Sequence, residues 1–219
     1  MRRPRRDPRR DRNRKNLVES ALHLVAAEGT ALTVARVSRE AGIDPSGFYA
    51  HFKNIEECEL AAAEAFRQYT AGHMSAYAKL RTASGLEGAI AANEELLRSW
   101  LSHPEWVALS GRCRYDDSAF GKSVRELLDA VRRDFTETLW DRAARFGIRG
   151  KHLREIEGLA ELCIGLFNTT LERLNTGRGT DVRAAAEQLA HANYALVSTS
   201  LKRMVEQDAA SARKRKSGD

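Results

Sequence analysis

Proline is scarce, with only four residues in a chain of 219. No stretch alternates apolar and polar residues in the way a half-buried strand does. Long apolar runs are missing, and nothing approaches the roughly 18 consecutive apolar residues of a membrane span. The N-terminus is charged and no apolar stretch follows it, so it does not read as a secretory signal. The three cysteines, Cys58, Cys113 and Cys163, are far apart and odd in number. None makes the CxxC pair of a zinc site, and they give no disulfide framework. A reduced, cytoplasmic setting is the expectation. Catalytic signatures are also lacking: no HExxH, no GxSxG, no P-loop and no glycine-rich dinucleotide turn. The six histidines are scattered. The chain is therefore not read as an enzyme, and no cofactor or metal is expected.

Ala, Leu, Glu and Arg dominate, a mix that favours helix over strand. The hydrophobic share of 42% is enough to build a real core. The net charge of +6 is unevenly placed. Residues 1–15 hold eight Arg, one Lys and two Asp, while residues 16–72 hold four bases against eight acids. Residues 210–219 hold four bases and one acid. A slightly acidic body thus carries two basic tails. Such tails bury too little apolar surface to fold alone. They read either as solvated tails or as arms for nucleic-acid phosphates.

Helical periodicity starts at Leu17, with Leu17, Ala21 and Leu24 on one face and Val18, Leu22 and Val25 beside it. Gly29 supplies a stop. Thr33 is a good N-cap for a second helix carrying Val34, Val37 and Ala41 inward, and Gly42 ends it. Asp44 can cap a third helix with Pro45 in its first position, where the missing N–H costs nothing. That helix is expected to run from Pro45 to Phe52. Asn54 and Glu57 form a capping box for a fourth. Two short helices joined by a glycine turn, with another helix before them, make a helix-turn-helix. Its second helix must stand proud of the core to enter a major groove. Phe48 and Phe52, at i and i+4, would anchor it, leaving Tyr49, His51 and Lys53 for phosphates.

The stretch "ALHLVAAEGTALTVARVSREAGIDPSGFYAHFKN" resembles the DNA-binding domain of the TetR family of bacterial transcriptional regulators. Gly29, Thr33, Val34, Ala41, Gly42, Ile43, Phe48, Tyr49, His51, Phe52 and Leu60 carry the match over residues 13–72. The resemblance implies a bacterial, cytoplasmic homodimer that binds a palindromic double-stranded DNA operator. It also implies a small-molecule effector that binds the C-terminal domain and releases the DNA. Carried over, Thr33 would cap the second helix and approach a phosphate, and Tyr49, His51 and Lys53 would contact the backbone. Ser46-Gly47 reverses the usual order of glycine and hydroxyl residue, and Ile55 stands where a lysine is common. Ser46, with Arg36 and Arg39 in reach, is then almost the whole hydrogen-bonding capacity of the groove face, and base readout needs donors and acceptors. Arginines of the N-terminal arm, including Arg5, Arg6, Arg9 and Arg10, are expected to supply much of the affinity. A DNA-coating protein that uses its basic tails without sequence preference is the alternative.

The expected architecture is all-α, with about nine helices. An arm (1–14) is followed by the helix-turn-helix domain (15–72), a larger helical ligand-binding and dimerisation domain (73–207) and a basic tail (208–219). Helices at about 152–175 and 182–206 carry Gly158, Gly165, Ala185, Ala192 and Ala195, small residues that permit close approach, and are the dimerisation candidates. Candidate contacts for an apolar or aromatic effector are Trp100, Trp106, Arg112, Phe120, Phe135, Trp140, Phe167 and Asn168. Most pockets are apolar, but so are cores, and an aromatic on a helical stripe fits either.

Overall fold

The computed structural model describes residues 8–28, 32–82, 85–113, 116–178 and 181–216. Gly29, Ser84, Arg5 and Arg6 lie outside these. Among the described residues the chain is all-α, with nine α-helices and one 3-10 turn. The helices are α1 (Pro8–Glu28), α2 (Val34–Glu40), α3 (Pro45–Phe48), α4 (Ile55–Thr82), α5 (Gly85–Leu101), α6 (Pro104–Arg112), α7 (Ala119–Ala144), α8 (Leu153–Asn175) and α9 (Val182–Lys216). No helix among the described residues is long and apolar enough to cross a membrane.

Two of the expected segments differ. The helix α1 begins at Pro8, so Arg9, Arg10, Arg12 and Arg14 sit on a helix rather than on a free arm. At the other end α9 continues to Lys216, through most of the expected basic tail. Arg and Lys are good helix formers, and an existing helix extends more easily than a new one nucleates.

The chain forms two compact units. The first takes residues up to Gly72 together with His103–Leu128, and the second takes His73–Ser102 with Asp129–Asp219. A single boundary at residue 72 misses this, because α6 and the start of α7 return to the first unit's core. The reason is aromatic packing: the Phe66 ring lies 5.2 Å from Trp106 and 6.3 Å from Phe120 between centroids. Leu17, Ala21 and Leu24 of α1, Val37 of α2, Phe48, Phe52, and Cys58 and Ala62 of α4 complete this core with Leu109 and Val124. The start of α7 is capped by side chains. Asp116 accepts from the Ser118 amide (2.9 Å) and hydroxyl (2.7 Å), and Ser118 Oγ accepts from Gly121 N–H (3.0 Å). The Asp116 carbonyl accepts from Arg125. Glu59 on α4 also bonds the Ala119 and Phe120 amides, and burial raises its pKa.

In the second unit α5 packs along α9, and α8 packs on both. The alanines Ala185, Ala186 and Ala190 are fully buried on α9, which lets α5 approach closely. Ala185 therefore serves packing within one chain rather than an interface. Arg183 at the start of α9 pairs with Glu94 of α5 (3.1 Å) and Glu187 (3.0 Å). A second cluster joins Leu139 and Ala143 of α7 to Ile156, Leu159, Leu201 and Met204. Gly147, at φ 76, ends the turn after α7, a left-handed conformation that costs other residues free energy. His152 is buried and contacts two carboxylates: Nδ1 lies 3.0 Å from Glu155 and Nε2 2.9 Å from Asp208 of α9. Carboxylates facing both ring nitrogens favour the doubly protonated imidazolium. Hydrogen bonds to Glu155 and Asp208 accordingly raise its pKa above the ordinary histidine value. Lys151 pairs with Asp208, and Arg203 with Glu155 (2.9 Å).

Candidate nucleic-acid interface and internal cavity

The turn between α2 and α3 is built by local hydrogen bonds. Thr33 Oγ1 accepts from the Arg36 amide at 3.3 Å, capping α2. Gly42, at φ 66, ends it, with Ile43 N–H bonded to Ser38 carbonyl (2.9 Å) and Gly42 N–H to Arg39 carbonyl (3.2 Å). That pair of bonds is a Schellman stop, and its central residue needs glycine's left-handed freedom. Asp44 then caps α3 by accepting from the Ser46 amide (2.8 Å) and hydroxyl (2.6 Å). The helix proper is one turn, Pro45–Phe48, shorter than the expected run to Phe52. Residues 49–51 continue as turns, with Phe52 N–H still bonded to Phe48 carbonyl (3.0 Å). At the start of α4 only half of the expected capping box forms: Glu57 N–H is bonded to Asn54 (2.9 Å), but the Glu57 carboxylate accepts from Lys53 N–H (2.7 Å), one residue before the cap.

Phe48 and Phe52 are the buried anchors, at 0% and 1% exposed, with ring centroids 5.5 Å apart. Tyr49 is 60% exposed and stands edge-on to Phe48. Ser46, Ala50 and Lys53 are exposed beside it, and Arg39 is exposed on α2. The Ser46 hydroxyl hydrogen is committed to Asp44, so this side chain offers DNA only acceptor capacity. Gly47 is not a groove-facing gap: a Cβ there would sit 3.0 Å from Ile43 Cγ2. The reversed Ser46-Gly47 order is thus explained by packing, because the glycine lets α3 lie tightly on Ile43.

Two arginines of α1 are attached to this head. Arg10 Nη2 donates to the Ala50 carbonyl at 3.2 Å, and the Arg14 guanidinium lies 4.8 Å from the Phe52 ring centroid. Spaced i and i+4, they share one helix face. Burial first, then the charges of Arg10 and Arg14, push the pKa of the half-buried His51 below the ordinary histidine value. The positive charge here comes from α1, Arg36, Arg39 and Lys53, and base-edge chemistry on α3 is sparse. The surface therefore offers more positive charge than it offers side-chain donors and acceptors on α3.

The second unit has a half-open cavity of about 840 Å³, with the exposed Phe146 and Tyr194 on its rim. Phe135 and Leu139 of α7, Cys163 of α8, and Ala190, Val197 and Leu201 of α9 supply apolar wall. Its polar lining includes Asn93 of α5, Thr138 and Arg142 of α7, and Asn193, Ser198 and Lys202 of α9. Asn93 is 2% exposed; its amide nitrogen donates to Ala89 carbonyl at 2.8 Å, and its Oδ1 has no partner. Asn193 Oδ1 is likewise buried and unpartnered.

Of the expected effector contacts, Phe135 alone lines this cavity. Trp106 and Phe120 belong to the first unit's core, stacked around Phe66, and Phe120 is 1% exposed. Trp100 and Phe167 pack with Leu96 and Val131, and Trp140 packs against the Leu139 cluster. Asn168 is half-buried on α8 and off the cavity wall. The side chain of Arg112 lies outside the described residues. Sequence reasoning misses Asn93 and Asn193, although both interrupt an apolar stripe: Asn93 lies between Ile90 and Leu97, and Asn193 between Leu189 and Val197. A lone amide on an apolar helical face is a readable signal.

The thiols carry no chemistry. All three cysteines are free and buried, and burial pushes Cys58 and Cys113 to about 12 and Cys163 to about 11. No group of His, Cys, Asp and Glu among the described residues could hold a metal ion.

Residues 17–63 match the family model of the bacterial regulatory proteins of the tetR family. Solved structures share the fold at low identity. A tetR-family transcriptional regulator from Streptomyces coelicolor superposes with a TM-score of 0.62 at 18% identity, over 91% of this chain and 89% of that one. A TetR-like regulator from a Rhodococcus species gives 0.62 at 19%, over 90% and 99%. The transcriptional regulator FadR from Bacillus subtilis, solved with stearoyl-CoA, gives 0.61 at 13%, over 84% and 97%.

Proposed function

We propose that this chain, which has a TetR-type helix-turn-helix head at residues 17–63 and a TetR-like fold, is a ligand-responsive transcriptional repressor. In this reading it binds a palindromic operator as a homodimer, and a small molecule in the second unit's cavity releases it. The observation that carries the reading is a DNA-binding head on a chain whose other unit holds a large, mostly apolar cavity. FadR, of the same fold, was solved with an amphipathic acyl ligand, which supports an effector with an aliphatic chain.

A homodimer is supported by the open face of α8. Leu162 is 59% exposed and Leu166 39%, beside Gly158 and Gly165, where an added Cβ would meet nothing within 4 Å. These four fall at helical spacing along one face, a flat apolar strip suited to a second copy. Thr33, Arg36, Arg39, Ser46, Tyr49, His51 and Lys53 are the DNA contacts of this reading, with Arg9, Arg10 and Arg14 on α1 adding phosphate contacts.

The test is selection from a random duplex pool, followed by a binding titration at several salt concentrations. A regulator prefers its selected palindrome over bulk DNA by at least about a thousandfold. Replacing Arg10 and Arg14 by Ala lowers the salt slope by about 0.9 for each phosphate that is no longer neutralised. Equal binding to all sequences would instead favour a coating protein.

A further inference from the structure

We propose that Arg10 positions the reading segment for its operator: the guanidinium joins the Ala50 carbonyl to a DNA phosphate and so fixes the angle at which residues 45–50 enter the groove. This rests on the reading of the first unit as an operator-binding head. It goes beyond that reading by giving Arg10 a geometric task separate from its charge.

The reading segment is too short to hold its own direction. Its helix is a single turn, Pro45–Phe48, and one turn of helix is unfavourable by itself. The next residues wind back on it. Ala50 N–H bonds the Gly47 carbonyl (3.2 Å), and the His51 and Phe52 amides share the Phe48 carbonyl (2.9 and 3.0 Å). Carbonyls at the end of a helix leave the hydrogen-bonded ladder and need other donors. At Ala50 no backbone N–H arrives among the described residues, and the donor is Arg10 Nη2 at 3.2 Å. Forty positions separate the two residues, so the bond ties the end of the reading segment to α1.

The helix that carries Arg10 is a firm post. It runs unbroken from Pro8 to Glu28, and Leu17, Ala21, Leu24 and Val25 root it in the core. Arg10 stands about 10 Å before Leu17 at ~1.5 Å per residue, within two turns of that root. One turn after Arg10, Arg14 lies over the Phe52 ring at 4.8 Å. The two arginines thus meet the reading segment at a carbonyl and at one of its buried rings. His51, which lies between Ala50 and Phe52 in the chain, feels both charges, and they add to the effect of burial in lowering its pKa.

Arginine suits this task and lysine does not. The guanidinium holds five N–H donors in a fixed fork, so one can serve the carbonyl while others meet a phosphate. An ammonium on a flexible stem neutralises a phosphate as well but fixes no angle. Binding to bulk DNA depends on charge, whereas base readout also depends on how the reading segment is set in the groove. Arg10 is exposed, so its replacement leaves the core intact.

The test uses the full chain, its selected palindrome, a bulk duplex and a range of salt concentrations. Arg10→Lys should keep the melting temperature, the salt slope and the affinity for bulk duplex. It should bind the palindrome about fivefold more weakly, the worth of one hydrogen bond. Arg10→Ala should weaken binding to both duplexes and lower the salt slope by about 0.9. In the absence of DNA, NMR titration of Arg10→Ala should show the His51 midpoint moved upward, because a nearby cation has gone. Equal palindrome affinity for wild type and Arg10→Lys, or an equal loss on both duplexes, overturns the assignment and leaves Arg10 as charge alone. An unmoved His51 midpoint in Arg10→Ala also overturns it, since the side chain is then not seated on the head. If the wild type prefers no palindrome over bulk duplex, the operator reading itself falls, whatever His51 does.

Discussion

Replacing Gly121 by Ala should destabilise the protein, although the same change inside most helices is favourable. Gly121 is buried in the first turn of α7, and the Asp116 cap folds over it. A Cβ built there lies 2.5 Å from Asp116 Oδ2 and 2.6 Å from its Cβ, and also meets the Asp116 carbonyl. Real Cβ atoms essentially never approach so closely, so the cap must move. The carbonyl is tied to Arg125 and the carboxylate to Ser118, which leaves little slack. Overpacking costs about 1–3 kcal/mol. Losing the Asp116 cap adds about 1 kcal/mol, and relief of glycine's backbone entropy returns about 0.5–1 kcal/mol. The net is a loss of about 1–3 kcal/mol. At ~2–4 °C per kcal/mol for a chain of this size, the melting temperature should fall by about 5 °C. Differential scanning calorimetry reads this directly. Adding Asp116→Gly removes two of the three clashing atoms, so the double variant should lose less than the sum of the single effects. A melting temperature unchanged or raised by Gly121→Ala would refute the packing argument.

Three further outcomes follow from the same structure. Phe48→Ala leaves a void under the reading helix, and since Phe48 is fully buried it should cost about 3–5 kcal/mol in chemical denaturation and abolish operator binding. The latch of His152 on Glu155 and Asp208 should respond to pH. Its raised pKa means the stabilisation is complete below about 6.5, the ordinary histidine value, and is lost as pH rises through the folded-state value. Hydrogen bonds to His152 and Lys151 hold the two carboxylates below their ordinary values, so the latch also opens in strong acid. Exchange protection of α9 amides around Asp208 should therefore be highest in mildly acidic buffer and fall above neutrality, and His152→Gln should flatten the alkaline limb. Native protein should react slowly with a thiol reagent at Cys58, Cys113 and Cys163, all buried and held as thiols, with three equivalents appearing on unfolding.

Much of the first unit was legible because its signals are local. Thr33, Gly42, Asp44, Pro45 and Asn54 act on neighbours within a few residues, and each cap or stop forms where its chemistry places it. Phe48 and Phe52 could be read as anchors from their spacing alone. Long-range choices were not legible. Nothing near Trp106 or Phe120 tells them from cavity aromatics; their partner Phe66 is forty or more positions away. Gly47 reads as a missing hydroxyl, because its neighbour Ile43 becomes close only once the turn has folded. The cavity was harder still. Its wall joins residues from α5, α7, α8 and α9, and Asn93 and Asn193 lie a hundred residues apart. Their shared clue, an amide within an apolar stripe, points to Asn168 with equal force.

The arginines of α1 occupy the wrong end of their helix. Arg9, Arg10 and Arg12 crowd its first turns, with Asp11 the one acid among them. An α-helix carries about half a positive charge at its N-terminus, where cations cost ~0.3–1 kcal/mol each at low ionic strength. The opening turns of α1 are therefore electrostatically frustrated in isolation, and Arg10 and Arg14 restrain them through Ala50 and Phe52. A phosphate backbone laid along this end supplies the missing counter-charge to both the side chains and the backbone dipole. Added salt and bound DNA should then both raise the helicity of residues 8–14, while salt weakens the DNA complex itself. Circular dichroism would record salt and DNA as allies, and a binding titration would record them as rivals.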